Sequence, residues 1–383
     1  MFVSLLYNIF VFIFCVILKL NHAIQLIGAF SVKNKINSLL RSFILAIFLS
    51  LPIAFISNSS QASFEEGIFV FPEENRRAPF IHLINKAMRT IRMAAYKFED
   101  DNMCTALLGA ANRGVKITIL KEPNIWMRPD LPPEVQGGGG LDEKLAHENI
   151  KICPTPSHFN QTHSKMILVD DTQAIVTTSN FTDMDDPFYR DFGIVVTDPN
   201  VLKSLQTVFD ADTNNQSRFA PQPVFEETSA VWGPDHQRPT LLKMIMGARH
   251  QIYVFQQSLQ DPGIARALAE AAKRNVSVRV IMTEAPFKGV DKNIPNHILL
   301  KDAGAKVMLC NPEYRYIHAK VLIVDGTMYV GSCNFYTPSI DETRELGILT
   351  PQSSHVERII QVFEQDWEQS KPFKIPEEET KAS

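Results

Sequence analysis

Two segments of the chain carry the same chemistry-bearing residues at the same spacing. In the first, His163, Lys165 and Asp170 are followed by Thr177, Thr178, Ser179 and Asn180; in the second, His318, Lys320 and Asp325 are followed by Gly331, Ser332, Cys333 and Asn334. Eleven residues beyond each asparagine stands an acid, Asp191 or Glu345, and each acid follows an arginine, Arg190 or Arg344. With 38 basic and 42 acidic residues among 383, ten histidines would meet a base two positions on and an acid seven positions on about 0.1 times by chance. Residues i and i+2 of a strand share a face, so each histidine points the same way as its lysine. Two such strands brought together across a pseudo-twofold would gather two imidazoles and two ammoniums in one small volume. That volume would receive a phosphodiester: ammonium and carboxamide donors for the non-bridging oxygens, and two groups that exchange protons near neutral pH.

The elements that must position these residues are also written twice. Residues 81–120 and the stretch from Thr240 each read as an amphipathic helix, an apolar strand (around Ile91–Tyr96 and Ile252–Phe255), a second helix and another strand. Gly114 and Asn275 fall where the second helix must stop, the two residue types that best tolerate a left-handed cap. A third helix-to-strand passage ends at Cys153 and Cys310, the chemical segment follows, and each copy closes on a helix carrying Phe209 and Asp212 or Phe363 and Asp366. The Asn-, Gln-, Ser- and Pro-rich stretch 213–239 reads as a linker. The expected organisation is a segment 1–62, a first domain 63–225, a second domain 226–370 and a solvated polar tail 371–383. Strands alternating with helices predict an α/β fold: two repeated units, each a mixed β-sheet flanked by helices, packed with pseudo-twofold symmetry.

Residues 1–62 hold Lys19, Lys33, Lys35 and Arg41 and no acid, which leaves 34 basic against 42 acidic residues in the rest, a net charge of about −8 where the full chain has −4. An acidic body lacks the broad basic footprint of a protein that grips nucleic acid through phosphates. Two apolar runs, Phe2–Leu18 and Phe43–Ile56, flank those four positive charges, and Ser60 and Ala62 occupy the small-residue positions of a cleavage site. The pattern predicts a signal peptide or an N-terminal membrane segment, with the remainder exported (periplasmic or secreted) or anchored at the inner membrane facing outward. Cys104, Cys153, Cys310 and Cys333 show no metal-type spacing, so no zinc site is expected. A disulfide is compatible with export, although its pairing is not readable from sequence.

These motifs resemble those of the phospholipase D superfamily, whose signature is H-x-K-x4-D followed by G-S-x-N, occurring twice, and the resemblance covers nearly all of residues 66–370. It implies nucleophilic and acid–base catalysis through a phosphohistidine, with no metal and no other cofactor. It assigns His163 as nucleophile and His318 as the acid that protonates the leaving alcohol. Lys165, Lys320, Asn180 and Asn334 would clamp the phosphate, with Thr178 and Ser332 supplying hydroxyl donors. Asp191 and Glu345 would each hold the far nitrogen of a histidine, and Asp170 and Asp325 would orient the segment. The first copy departs from the pattern at Thr177, where glycine is usual, at Thr178, where serine is usual, and at Asp191, one methylene shorter than Glu345. Threonine in place of glycine is expected to crowd the backbone near the ligand.

The superfamily includes phospholipases, cardiolipin synthases, cardiolipin hydrolases and nucleases, so the motif leaves the substrate open. The acidic body, the segment 183–186 with three aspartates and the N-terminal address favour a glycerophospholipid at a membrane surface over nucleic acid. Hydrolysis to phosphatidic acid and a free head group is the leading expectation. Cardiolipin synthase-type transfer, an exported metal-independent endonuclease and a catalytically weak phospholipid-binding protein are the alternatives. Ile125, Trp126, Met127 and Phe287 would dip into lipid or pack as ordinary loop residues, and Gly137–Gly140 would form a lid or a flexible insertion. A monomer is expected, because both motifs lie in one chain.

Overall fold

The computed structural model describes residues 67–123, 141–182, 184–214, 228–284, 291–311 and 313–376. The expectations for residues 1–62, Ile125–Met127, Gly137–Gly140, Asp183 and Phe287, and for a boundary near residue 225, fall outside the described residues. Among the described residues no helix is long and apolar enough to cross a membrane. The four cysteines there, Cys104, Cys153, Cys310 and Cys333, are buried and unpaired.

Each repeat builds one mixed sheet around seven strands, and the strand orders coincide. The first half contributes β1 (Ile68–Phe71), β2 (Thr90–Ala95), β3 (Lys116–Lys121), β4 (Ile150–Pro154), β5 (Met166–Val169), β6 (Gln173–Thr177) and β7 (Tyr189–Val196), in the order β1-β7-β6-β5-β2-β3-β4. The second contributes β8 (Ala230–Trp232), β9 (Gln251–Gln256), β10 (Ser277–Thr283), β11 (Lys306–Cys310), β13 (Lys320–Val324), β14 (Thr327–Gly331) and β15 (Leu346–Thr350), ordered β8-β15-β14-β13-β9-β10-β11. In each sheet three strands run parallel, joined by crossover helices, and the motif strand then turns back antiparallel beside the first of them. One short strand crosses over: β12 (Tyr316–Ile317), from the second half, pairs with β7 of the first sheet.

Helices fill the faces left by strand alternation. Helices α1 (Ala78–Lys86) and α2 (Asp101–Asn112) cover the outer face of the first sheet, against Ile167 and Val169 of β5. Helices α5 (Gln237–Gly247), α6 (Pro262–Lys273) and α7 (Ile294–Asp302) cover the second, against Leu322 and Val324 of β13. The intervening residues Met166, Leu168, Val321 and Ile323 face a central core shared by both halves, which also takes in α4 (Pro199–Thr213) and the last helix, α9 (Ser353–Glu368). The remaining helices are single turns, α3 (Leu141–Lys144) and α8 (Thr337–Asp341). Gly114 (φ +91°) and Asn275 (φ +67°) adopt the left-handed conformation just beyond α2 and α6.

The tail departs from expectation. Ser370–Pro372 forms β16, which adds antiparallel to β11, and Phe373 is buried in the outer core of the second sheet. Its polar composition concealed one aromatic anchor and an open sheet edge whose backbone groups need partners.

Candidate active site

Each motif strand begins in the territory of the other half. Residues leading into His163 bridge to Arg344, and β12, leading into His318, runs parallel to Tyr189–Arg190. The His163 backbone N–H donates to the Arg344 carbonyl at 2.9 Å, and the His318 N–H to the Arg190 carbonyl at 3.1 Å. Since the residue after each arginine is the acid, this register sets each imidazole against the carboxylate of the opposite repeat. His163 Nδ1 lies 3.1 Å from both Glu345 oxygens and 3.1 Å from the Ser332 carbonyl. His318 Nδ1 lies 2.8 Å from Asp191 Oδ1. A hydrogen on Nδ1 satisfies these acceptors and leaves Nε2 as the basic nitrogen of each neutral ring. Tyr96 stands edge-on to His163 at 4.7 Å between ring centres, and Tyr189 edge-on to His318 at 5.8 Å.

Lys165 and Lys320 are fully buried and each donates to the carbonyl of its own histidine. Lys320 also reaches Gln257 Oε1 at 3.4 Å, and the Lys165 ammonium lies 5.2 Å from the Tyr96 ring centre. Asn180 and Asn334 each hold a carboxamide oxygen that is buried without a hydrogen-bond partner.

The expectation that Thr178 and Ser332 offer hydroxyls to phosphate is corrected by their geometry. Thr178 Oγ1 donates its single proton to Asp191 Oδ1 at 2.6 Å and accepts the Phe192 N–H at 2.9 Å. Ser332 Oγ likewise donates to Glu345 and accepts the Leu346 N–H at 3.0 Å. These hydroxyls fix the carboxylates that fix the histidines. Glu345 receives one more, from Ser339 Oγ at 2.5 Å, a residue that the sequence reading missed because the first repeat has no equivalent serine.

Asp170 and Asp325 lie at the far ends of the motif strands, in left-handed conformations with φ of +52° and +46°. Asp170 accepts the N–H groups of Met88, Arg89 and Thr90, and Asp325 those of Arg249, His250 and Gln251, at 2.6–3.0 Å. Each carboxylate ties the hairpin turn of its motif strand to the start of the neighbouring strand.

Thr177 does not crowd the ligand side. It is fully buried, and its hydroxyl donates to the Phe192 carbonyl at 2.9 Å. A Cβ on its counterpart Gly331 would fall 2.4 Å from the Leu346 carbonyl oxygen and 2.8 Å from the Tyr329 hydroxyl. The first half has Ile175 in the position of Tyr329, which removes the hydroxyl contact, but the tightest contacts at Gly331 are with backbone, the Leu346 carbonyl at 2.4 Å and Gly347 Cα at 2.5 Å.

Burial pushes the pKa of both histidines down to about 4; the carboxylate beside each imidazole opposes that shift and the adjacent lysine reinforces it. Burial also lowers Lys320 to about 8, against the pull of Asp191 and Glu345. Burial alone would raise both carboxyls, yet Glu345 is held below its ordinary range by His163, Lys165 and Ser332, and Asp191 by His318, Arg76 and Lys320. His163 feels the charge of Lys320, and His318 that of Lys165, so the two half-sites lie within electrostatic reach of each other. Among the described residues, no group of three or more His, Cys, Asp or Glu side chains is placed to hold a metal ion.

Residues 80–213 and 241–367 match the family described as cardiolipin synthase, PLD-like domain, once in each half. The human mitochondrial cardiolipin hydrolase is 30% identical over 135 residues, covering 35% of this chain and 52% of the relative. Cardiolipin synthase 2 of Bacillus anthracis is 25% identical over 337 residues, covering 76% of this chain and 62% of that one. The chain spans about half the length of the cardiolipin hydrolases it matches. Among solved structures, the polyphosphate kinase of Porphyromonas gingivalis superposes with a TM-score of 0.60 at 15% identity, over 78% of this chain and 50% of that one. At that identity the likeness speaks for the fold alone.

Proposed function

Since the chain belongs to the phospholipase D superfamily, we propose that it is a phosphodiesterase that cleaves a glycerophospholipid to phosphatidic acid and a free head group through a phosphohistidine. The observation that carries this reading is the crossed pair of imidazoles, each with Nδ1 against a buried carboxylate and a buried lysine beside it. His163 Nε2 attacks phosphorus while His318 delivers a proton from Nε2 to the departing alkoxide; His318, whose pKa burial lowers to about 4 in the free protein, carries that proton in the complex, where the anionic phosphate and Asp191 hold the imidazolium. The phosphorus–oxygen bond to the head group breaks as the phosphorus–nitrogen bond forms. His318, now neutral, takes a proton from water; the hydroxide attacks phosphorus and returns His163 to its starting state. Lys165, Lys320, Asn180 and Asn334 hold the non-bridging oxygens as charge builds on them.

Lipid is favoured by the cardiolipin-linked relatives and by the acidic body of the chain. Transfer to an alcohol in place of water needs the same residues, and the match to a cardiolipin synthase through both halves supports it as the second reading. The test is the purified full chain in detergent with EDTA, offered phosphatidylcholine, phosphatidylglycerol and single-stranded DNA in parallel. Head-group release by wild type and not by His163→Ala supports the lipase. Cardiolipin formed from phosphatidylglycerol moves the reading to transfer, and DNA cleavage with lipid untouched overturns it.

A further inference from the structure

Behind the two carboxylates lies a second crossed arrangement that the catalytic steps do not use. Arg190, 1% exposed, donates Nε and Nη2 to Asp366 at 2.6 and 2.9 Å, and also binds Glu73 and the Phe71 carbonyl. Arg344, 0% exposed, pairs with Asp212 at 3.0 and 3.1 Å and donates to the Gly233 carbonyl at 3.0 Å. Asp366 belongs to α9 of the second half and Asp212 to α4 of the first, so both ion pairs cross the junction between halves.

Burying such pairs adds little net stability, because desolvation of both ions offsets their attraction; apolar residues of similar volume do about as well. The better-attested use of a buried pair is to fix a register. Here the register matters chemically, because each arginine is at a node. Its carbonyl accepts the N–H of one catalytic histidine, its guanidinium is anchored in the opposite half's last helix, and the next residue is the acid that holds that same histidine. Adjacent residues of an extended chain point to opposite faces. A guanidinium fixed on one face therefore fixes the rotation of the segment, and with it the position of the carboxylate on the other.

We propose that Arg344, through Asp212, is a positioning residue for the Glu345–His163 couple, and that Arg190, through Asp366, plays the same part for Asp191–His318. Neither arginine touches substrate. Each sets the distance and rotation at which a carboxylate meets its imidazole, and so the tautomer that presents Nε2 to phosphorus.

The proposal rests on the phosphodiesterase reading only for its kinetic arm. The structural arm is ¹⁵N NMR of histidine-labelled full-length protein in detergent without substrate, comparing wild type, Arg344→Met, Arg344→Lys and Arg190→Met. Arg344→Met is expected to move the His163 ring signals away from the Nδ1–H pattern and leave those of His318 in place; Arg190→Met is expected to do the reverse. Arg344→Lys, which keeps the charge, is expected to lie between, and it carries the test if the methionine variant does not fold. On a nitrophenyl phosphodiester, kcat is expected to fall roughly 10- to 100-fold with KM nearly unchanged. Both rings shifting together in every variant, or activity falling only in step with the unfolded fraction, overturns the proposal. If wild type turns over no phosphodiester, the proposed function fails while the NMR arm still decides the role of the arginines.

Discussion

His163 and Glu345 belong to opposite halves of the chain, yet the imidazole Nδ1 lies 3.1 Å from both oxygens of the carboxylate. The reciprocal couple, His318 with Asp191, closes at 2.8 Å. Neither half therefore holds a complete histidine–acid couple; both couples form only at their junction.

Replacing Glu345 with glutamine should lower kcat by roughly 100-fold or more, because the amide holds the ring less firmly and stabilises imidazolium less. The pH profile gives the sign. His163 must be neutral to attack, so kcat/KM falls as pH drops through about 4. Glu345 opposes the effect of burial; without its charge the imidazole is harder to protonate and the acid limb moves to lower pH. Lys165→Met removes a positive neighbour, so it should move the same limb upward.

On a nitrophenyl phosphodiester, whose leaving group needs no proton from His318, Lys320, lowered to about 8, predicts the alkaline limb. As pH rises through that value the ammonium loses its charge, phosphate binding weakens and kcat/KM declines. Arginine stays protonated, so Lys320→Arg should abolish a decline near pH 8, at a cost in rate from its larger planar head. An alkaline limb unchanged in that variant would assign it to another group.

The exchange between Thr177 and Gly331 predicts unequal effects. Gly331→Thr forces Cβ against the Leu346 carbonyl and Gly347 Cα and should destabilise by about 3 kcal/mol or more. Thr177→Gly loses hydrogen bonds to Phe192 and Ser179 and should cost about 1–2 kcal/mol. Urea midpoints of the two variants compare them directly. Equal losses would contradict the close backbone approach at Gly331 as the reason for its glycine.

Asp325→Ala should cost roughly 2–4 kcal/mol, since three backbone donors lose a charged acceptor and alanine is strained at φ +46°. Asparagine tolerates that backbone and should recover part of the loss. Both Asp170 and Asp325 are held below the usual carboxylate range: burial opposes the shift, and the backbone N–H groups outweigh it. Their contribution is therefore complete above the ordinary carboxylate pKa and is lost as pH falls through the lowered value. Thermal unfolding from pH 6 downward should show wild type losing more stability than Asp325→Ala.

The sequence made the repeat, the motif strands and the left-handed positions Gly114 and Asn275 legible, because period and turn chemistry are local. It named Arg190, Arg344, Asp212 and Asp366 at equivalent places without linking them. Which carboxylate serves which histidine is a property of the junction, and no spacing within one repeat encodes it. The hydroxyls of Thr178 and Ser332 were misjudged because a motif shows residue types near a phosphate and not where each proton points. Tyr96 and Gln257 occupy equivalent positions beside the two lysines with different chemistry, so comparison of the copies alone could not mark either. Ser370–Phe373 was misread because a tail's composition does not reveal an open sheet edge.

The central claim is one shared site in which His163 makes the covalent bond and His318 handles protons. A nitrophenyl phosphodiester tests it most directly, since nitrophenolate departs without an acid. His318→Ala should release one equivalent per enzyme in a burst and then stall, with mass spectrometry placing the phosphoryl adduct on His163. His163→Ala should give neither burst nor adduct. A burst from His163→Ala with the adduct on His318, or steady turnover by His318→Ala with no adduct, would contradict the account.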